Sequence, residues 1–388
     1  MQDDIMIGKQ FRTAALVILG ICGLLALLVY GRGFLAPIVI ACLLTTLISA
    51  GISKLESYGL PNWAAMLVSI GGAFLLIYGA SQVSSSQITI VSEALPKYSV
   101  RFDRLLVDLT AFLGQQQVDQ IRTAFSNMDF SGHAATFAES VGGLFGSFGL
   151  ILMYSGFLLA ERGMLLNKLA FLFPDPEKSA EIQELFRTVG FGIRRYMWIK
   201  TVVSLLTGIL CYAILAFIGI DFAEILSILI FLLNFIPTIG SIVAVILPAV
   251  VALMQFDTLT PFLMVVALCG SVQFVVGSIV EPKFMGTTLN LSPFVVLLSL
   301  TFWGTIWGIE GAALSVPIAA SIVILCRDIP GLRPIAVMMS VDGDLEKNRT
   351  QAPTASAKTA KPKPNTETQE KISALQAELE DLQAEARD

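Results

Sequence analysis

The sequence predicts an all-α polytopic membrane protein with about eight membrane segments, some broken or re-entrant, and a helical extramembrane domain. Two observations carry this expectation. Hydrophobic residues make up 55% of the 388 and charged residues only 14%, whereas a soluble domain carries about 25% charged residues. Several apolar runs also reach the roughly 20 residues that a helix rising about 1.5 Å per residue needs to cross about 30 Å of hydrocarbon. The formal net charge of −5 is modest, and most of the acidity lies outside the apolar runs, so no nucleic-acid partner is expected.

Residues 13–82 hold the first three expected membrane helices, at about 13–30, 34–52 and 62–82. Only Gly31-Arg32-Gly33 separates the first two, which implies a tight helical hairpin. The first run has no cleavage site before it and is followed at once by another, so it reads as a retained helix rather than a signal peptide. Residues 83–140 are polar overall, but Ile88, Val91, Leu95, Tyr98, Phe102, Leu105, Leu109 and Phe112 recur every three or four positions, as do Val118, Ile121, Phe125 and Met128. That spacing predicts two amphipathic helices forming an extramembrane domain. Residues 141–160 are a fourth membrane helix with Gly142, Gly143, Gly146 and Gly149, small residues that let helices approach closely in lipid.

Residues 161–200 carry Arg162, Lys168, Lys178, Arg187, Arg194, Arg195 and Lys200. The positive-inside rule makes this segment cytoplasmic and, counting back, puts the N-terminus on the same side. Residues 201–335 form a C-terminal membrane region in which two apolar runs are overlong. The run 222–254 is interrupted by Pro237, Gly240 and Pro248, and the run 293–325 by Gly304, Gly308, Gly311 and Pro317. Each is either one kinked helix or a re-entrant pair of half-helices, and both options return the C-terminus to the cytoplasmic side. Residues 340–369 then read as a disordered linker rich in Pro, Lys, Thr and Ala. Residues 370–388 read as a short coiled-coil-like helix, with Ile372, Leu375, Leu379, Leu382 and Ala386 at heptad positions.

Helix breaks in a bilayer free backbone groups that lipid cannot satisfy, so they persist only where protein or a wet cavity covers them. Paired broken segments are the best sequence pointer to a transport site. The candidates are Asn234, Pro237, Thr238 and Gly240 in the first break, and the stretch from Glu281 to Gly311, with Gln273 and Asn290 as polar residues on a path for a hydrophilic solute. Glu310 interrupts an apolar run, where a charge costs about 2.5–3.5 kcal/mol on insertion scales. Glu281 and Lys283 flank Pro282 at a membrane boundary, where they either pair with each other or simply sit at the interface, while Asp221 and Glu224 are expected at a solvated turn.

Enzymatic chemistry is not expected. His133 is the only histidine, which argues against a histidine-based metal site or a Ser-His-Asp hydrolase. The five cysteines, Cys22, Cys42, Cys211, Cys269 and Cys326, are dispersed through apolar runs without metal-ligand or disulfide-framework spacing. No P-loop occurs, and no cofactor is expected.

The hairpin residues Phe34-Leu35-Ala36-Pro37, the run Phe235-Ile236-Pro237-Thr238-Ile239-Gly240, Val280-Glu281-Pro282-Lys283-Phe284-Met285-Gly286, Leu289-Asn290-Leu291-Ser292-Pro293, Trp307-Gly308-Ile309-Glu310-Gly311-Ala312 and Val316-Pro317-Ile318 together resemble the autoinducer-2 exporter, or PerM-like, family of bacterial inner-membrane proteins over most of residues 13–335. Ser292 departs from the pattern, since many members carry histidine there, so a role resting on that histidine does not transfer. The resemblance implies about eight membrane segments, a multi-pass inner-membrane location, a homo-oligomer (a pentamer in some members) and export of a small hydrophilic solute such as autoinducer-2 by a secondary or facilitative route. Two alternatives stay open. One is a sodium or other cation/proton antiporter with Glu281 and Glu310 as ion sites; the other is an oligomeric membrane scaffold without transport.

Overall fold

A computed structural model describes residues 2–83, 98, 101, 104, 130–172, 175–285, 290–329 and 331–343. The amphipathic helices expected over residues 88–128 and the tail after 343 lie outside the described residues, apart from positions 98, 101 and 104. Among the described residues the chain is helical, with one isolated bridge between Leu291 and Ser340. In order, the helices are α1 (Gln2–Tyr30), α2 (Arg32–Ser57), α3 (Asn62–Val83), α4 (Phe130–Leu172), α5 (Pro176–Ile218), α6 (Ala223–Leu233), α7 (Ile239–Gln255) and α8 (Thr260–Val275). A π-helical turn (Val276–Val280) leads into α9 (Glu281–Met285), followed by α10 (Pro293–Asp328) and α11 (Arg333–Met339). Among the described residues, six helical segments are long and apolar enough to cross a bilayer, and α6 and α7 are shorter apolar helices. This is the polytopic all-α architecture that composition and run length predict.

α5 is the spine. Asp175 caps its start by accepting from the Glu177 N–H at 3.1 Å, with Pro176 at the first position. Gly219 ends it in a left-handed conformation (φ 81°), with Ile220 N–H bonding to Leu215 O and Gly219 N–H to Ala216 O, the pairing of a Schellman cap. The helix carries the basic stretch and the fifth span in one piece. Call the face where α5 begins the near face and the one where it ends the far face.

α2, α3 and α4 pack as a group around Ile48, Ile52, Ala65 and Leu159. Ser155 Oγ, fully buried, lies 3.3 Å from Ala41 O across α2 and α4. The larger core gathers Cys211 and Leu215 of α5, Ile225, Leu226 and Ile230 of α6, Ala244, Ala249 and Ala252 of α7, and Val265 and Cys269 of α8.

The two overlong runs are both helical hairpins. α6 has 11 residues and α7 has 17, about 16 and 25 Å at 1.5 Å per residue, so α6 is too short to cross about 30 Å. Gln255, the last residue of α7, donates from Nε2 to Gly219 O at 2.8 Å and accepts from Asp221 N–H at 2.7 Å. The end of α7 is thereby tied back to the start of α6, and the hairpin opens on the far face.

α10 doubles back at Gly308, whose φ of 66° and ψ of −140° are not helical. Ser299 Oγ donates across the fold to Ser315 O at 2.8 Å; in a straight helix those residues would be about 24 Å apart. Both ends of this hairpin meet α11, through the Ser292 N–H bond to Met339 O and the cluster of Val323, Cys326 and Ala336. Ile324 also lies against Gly192, in the near-face half of α5. The α10 hairpin therefore opens on the near face, opposite to α6–α7.

Candidate transport site

The tip of the first hairpin is residues 234–238, and glycine makes it possible. A Cβ on Gly240 would overlap the carbonyl oxygen of Leu233, so α7 can return this close to the end of α6 only without a side chain there. Thr238 turns the chain at φ 59°, ψ −56°, with Ile239 N–H bonding to Pro237 O two residues back at 2.6 Å. This is the γ-turn that L-residues rarely adopt, stabilised by Thr238 Oγ1 donating to Pro237 O and Ser241 Oγ donating to Thr238 O. Asn234 is buried at the tip and its Nδ2 donates to Ser204 Oγ of α5 at 2.9 Å.

α8 runs antiparallel to α5. Cys211 and Cys269 are fully buried in one cluster, and Lys200 Nζ donates to Glu281 Oε1 at 2.6 Å. Gln273 lies one turn beyond Cys269, at the level of Thr207 and Ser204, and is 8% exposed with its Nε2 unpartnered.

The π-turn then sets Glu281. Pro282 has no N–H, and the Glu281 N–H reaches Val276 O, five residues back. In a regular helix Glu281 would stand about 80° from Gln273 around the axis. The wider turn absorbs roughly one residue of register and returns it to within about 20°. Glu281 thus faces α5 and meets Lys200, whose side chain is only 5% exposed, against 19% for Glu281.

This corrects two expectations. Glu281 pairs with Lys200, not with Lys283, which is exposed; side chains two apart on a helix point in different directions. Lys200 itself is buried rather than part of a solvated basic segment, and spacing alone did not single it out.

Glu310 lies on the turn of the second hairpin, two residues from Gly308, and is partly exposed. A Cβ on Gly311 would overlap the Trp303 carbonyl, so this tip is closed by the same device as the first. Trp307 Nε1 donates to Leu28 O at 3.0 Å, which sets the tip beside the α1–α2 turn. The insertion cost for a charge at the centre of a straight helix therefore does not apply to Glu310, and no ion-pair partner faces it among the described residues. Asn290 (φ 42°) donates from Nδ2 to Asp342 Oδ1 at 3.0 Å, part of a clasp joining the strand-like residues 290–292 to the segment after α11. The structure thus brings Asn234 and Gln273 to the level of Ser204 and Thr207 on α5, with Pro237, the exposed Thr238 and Gly240 making the hairpin turn beside Asn234 and Glu281 toward the near face. It sets Lys283, Asn290 and Glu310 in other roles.

At the far-face mouth, Tyr98 from the 83–140 segment donates its hydroxyl to Asp221 Oδ2 at 3.0 Å and packs edge-on against Phe222. Burial, then the bond to the Asp221 carboxylate, raises the phenol above its ordinary range and keeps it a donor. Arg101 pairs with Asp257 at 3.0 Å and donates to its backbone oxygen at 2.9 Å. Asp221 is exposed at the turn before α6, as expected, and also accepts from Tyr98.

Two hairpins opening on opposite faces, with polar groups at one tip held against a central helix, define a polytopic membrane protein of the transport class. Comparison with known proteins places it further. Residues 15–331 match the AI-2E family transporter family, and the chain belongs to that family. It is 32% identical over 257 residues to a putative transport protein of Borreliella burgdorferi, covering 65% of this chain and 69% of that one. It is 28% identical over 356 residues to a putative transport protein of Haemophilus influenzae, covering 89% and 99%. It is 29% identical over 335 residues to the AI-2 transport protein TqsA of Escherichia coli, covering 84% and 95%.

Proposed function

We propose that this transporter exports a small hydrophilic solute, such as autoinducer-2, across the bacterial inner membrane by a secondary or facilitative route. The observation that carries the reading is the α6–α7 tip, which holds Asn234 against Ser204 at 2.9 Å with the unpartnered Gln273 at the same level. A line of uncharged polar groups inside an apolar bundle suits a solute with hydroxyl groups. The TqsA name supports autoinducer-2 as the first solute to test. Lys and Arg enrichment over 161–200 supports a cytoplasmic near face, and association of several copies in a homo-oligomer belongs to the same reading. Extracellular autoinducer-2 should rise when the protein is overproduced and fall when it is deleted; an unchanged signal in both strains removes that solute.

The cation/proton antiporter has one observation in its favour, a titratable carboxylate near the transport layer. That carboxylate, Glu281, already accepts from Lys200. Sodium-dependent collapse of a pH gradient in everted vesicles, lost in Glu281→Gln or Glu310→Gln, would favour the antiporter over export.

A further inference from the structure

Between the apolar cluster of the far-face half and the Lys200–Glu281 pair lies a thin polar layer inside the bundle. It comprises Ser204 and Thr207 on α5, both fully buried, Asn234 at the hairpin tip and Gln273 on α8, each less than a tenth exposed. Three of the four are engaged. Thr207 Oγ1 donates to Val203 O at 2.8 Å, and Asn234 Nδ2 donates to Ser204 Oγ. Gln273 Nε2 alone has no partner.

A buried amide with an unmade bond costs about 1–3 kcal/mol, and native structures leave few such groups without a reason. Packing gives no reason here. Gln273 is on the α8 face shared by Val265 and Cys269, where an apolar residue would continue the stripe without loss. The helix around it is also not a product of neighbouring polar demands, because Thr207 and Ser204 satisfy themselves locally or through Asn234.

We propose that Ser204, Thr207, Asn234 and Gln273 form the central solute site, that it takes an uncharged hydroxyl-bearing molecule, and that Gln273 Nε2 donates to a solute oxygen. The inference rests on the export reading and goes beyond it by fixing the charge class of the solute and the residue that reads it. The class follows from the layer's chemistry. None of its four side chains is ionisable, and the nearest opposite charges, Lys200 and Glu281, are committed to each other at 2.6 Å. A cation needs several oxygens turned toward it, carbonyl or hydroxyl, whereas the unmade bond here is on an amide N–H, which meets an acceptor and not a cation. An anion needs an uncommitted positive charge. Amides and hydroxyls instead match a polyol, whose hydroxyls donate and accept in turn. Ser204 and Asn234 also come from different elements, so a solute that takes over the Asn234–Ser204 bond would contact both α5 and the hairpin.

The test uses the full chain in proteoliposomes with ribitol as the neutral probe and radioactive sodium as the cation probe. Wild type should pass ribitol well above protein-free vesicles and pass little sodium. Gln273→Leu, nearly isosteric, should lower ribitol flux about tenfold, the value of one hydrogen bond to the solute. Gln273→Glu should lower ribitol flux as well and raise sodium flux, a change of selectivity that a purely structural role would not produce. Elution and melting of each variant check that it is folded. Ribitol flux in Gln273→Leu equal to wild type would overturn this site while leaving export intact. Wild type passing sodium but not ribitol would overturn the neutral-solute assignment and the export reading together. Passage of neither probe by folded wild-type protein would overturn the polyol site, and unchanged extracellular autoinducer-2 in the strains above would separately remove that export reading.

Discussion

Lys200→Met should be among the most damaging single changes in the molecule, and Lys200→Met with Glu281→Gln should be milder than either change alone. The pair is buried, with side chains 5% and 19% exposed and 2.6 Å between Nζ and Oε1. Removing one partner of a buried pair leaves the other charge uncompensated and costs about 3–5 kcal/mol, whereas replacing both by uncharged groups of similar volume is close to neutral. At about 2 °C per kcal/mol for a large domain, each single variant should melt about 6–10 °C lower. The double variant should stay within a few degrees of wild type. The assay is the loss of monodisperse protein after heating in detergent, run as a double-mutant cycle. The charge reversal Lys200→Glu with Glu281→Lys should recover part of the loss, because the same two positions again hold opposite charges. If the double variant falls by the sum of the singles, about 6–10 kcal/mol, the two side chains do not act as a pair and the placement of α8 against α5 is wrong.

Gly240→Ala and Gly311→Ala should each prevent a hairpin from closing, because the added methyl would occupy the place of the Leu233 or Trp303 carbonyl; both should yield little folded protein, while Gly270→Ala, with open space around it, should express normally. Pro282→Ala restores an N–H where the π-turn forms and should let the helix regularise, turning Glu281 away from Lys200; its melting loss should be non-additive with that of Lys200→Met, and additivity would show that the π-turn does not set the pair. Tyr98→Phe removes the bond to Asp221 but keeps the ring on Phe222, so it should cost about 1 kcal/mol and increase proteolytic cleavage of the 83–140 segment in intact protein, with an unchanged cleavage pattern counting against the contact.

The broken half of the protein was legible in the sequence because proline and glycine mark places where a helix cannot continue in lipid. Pro237 and Gly240 do bracket a tip, and Gly308 does carry the second turn. Whether a run with such breaks kinks or folds back is not a local property. α6–α7 folds back because Gln255 reaches Gly219 and Asp221 some 35 residues away, and α10 does so through Ser299 and Ser315. The Glu281 partner was hidden for a related reason. Lys200 sits at the end of a basic stretch, where charge counting assigns it to water, and only the antiparallel register of α5 and α8 brings it 81 positions along the chain to Glu281. Gln273 was visible as a polar residue in an apolar helix, but its unmade hydrogen bond depends on what α5 and the hairpin present to it.

The fastening of the α6–α7 hairpin is uneven, and that bears on how it can work. Its mouth is held by two bonds from Gln255, by Tyr98 on Asp221 and by Arg101 on Asp257. Its tip is held to α5 by one side-chain bond, Asn234 to Ser204, worth about 0.5–1.5 kcal/mol net, together with the apolar contacts of α6. The γ-turn at Thr238 stores strain of order 1–3 kcal/mol, which the packing of the tip offsets. The tip thus rests on one side-chain bond and on buried apolar residues such as Ile230 and Ile236, while the mouth is held by several polar bonds at once. A state a few kcal/mol above the ground state is populated at about 0.1–10% and can be selected by a ligand that prefers it. A solute that replaces the Asn234–Ser204 bond with bonds of its own supplies that preference at the one point where the hairpin is weakly held. The second hairpin differs, since Trp307 ties its tip to α1 and the Ser299–Ser315 bond joins its legs. The Asn234–Ser204 bond is therefore the point at which a bound solute would act on the α6–α7 hairpin.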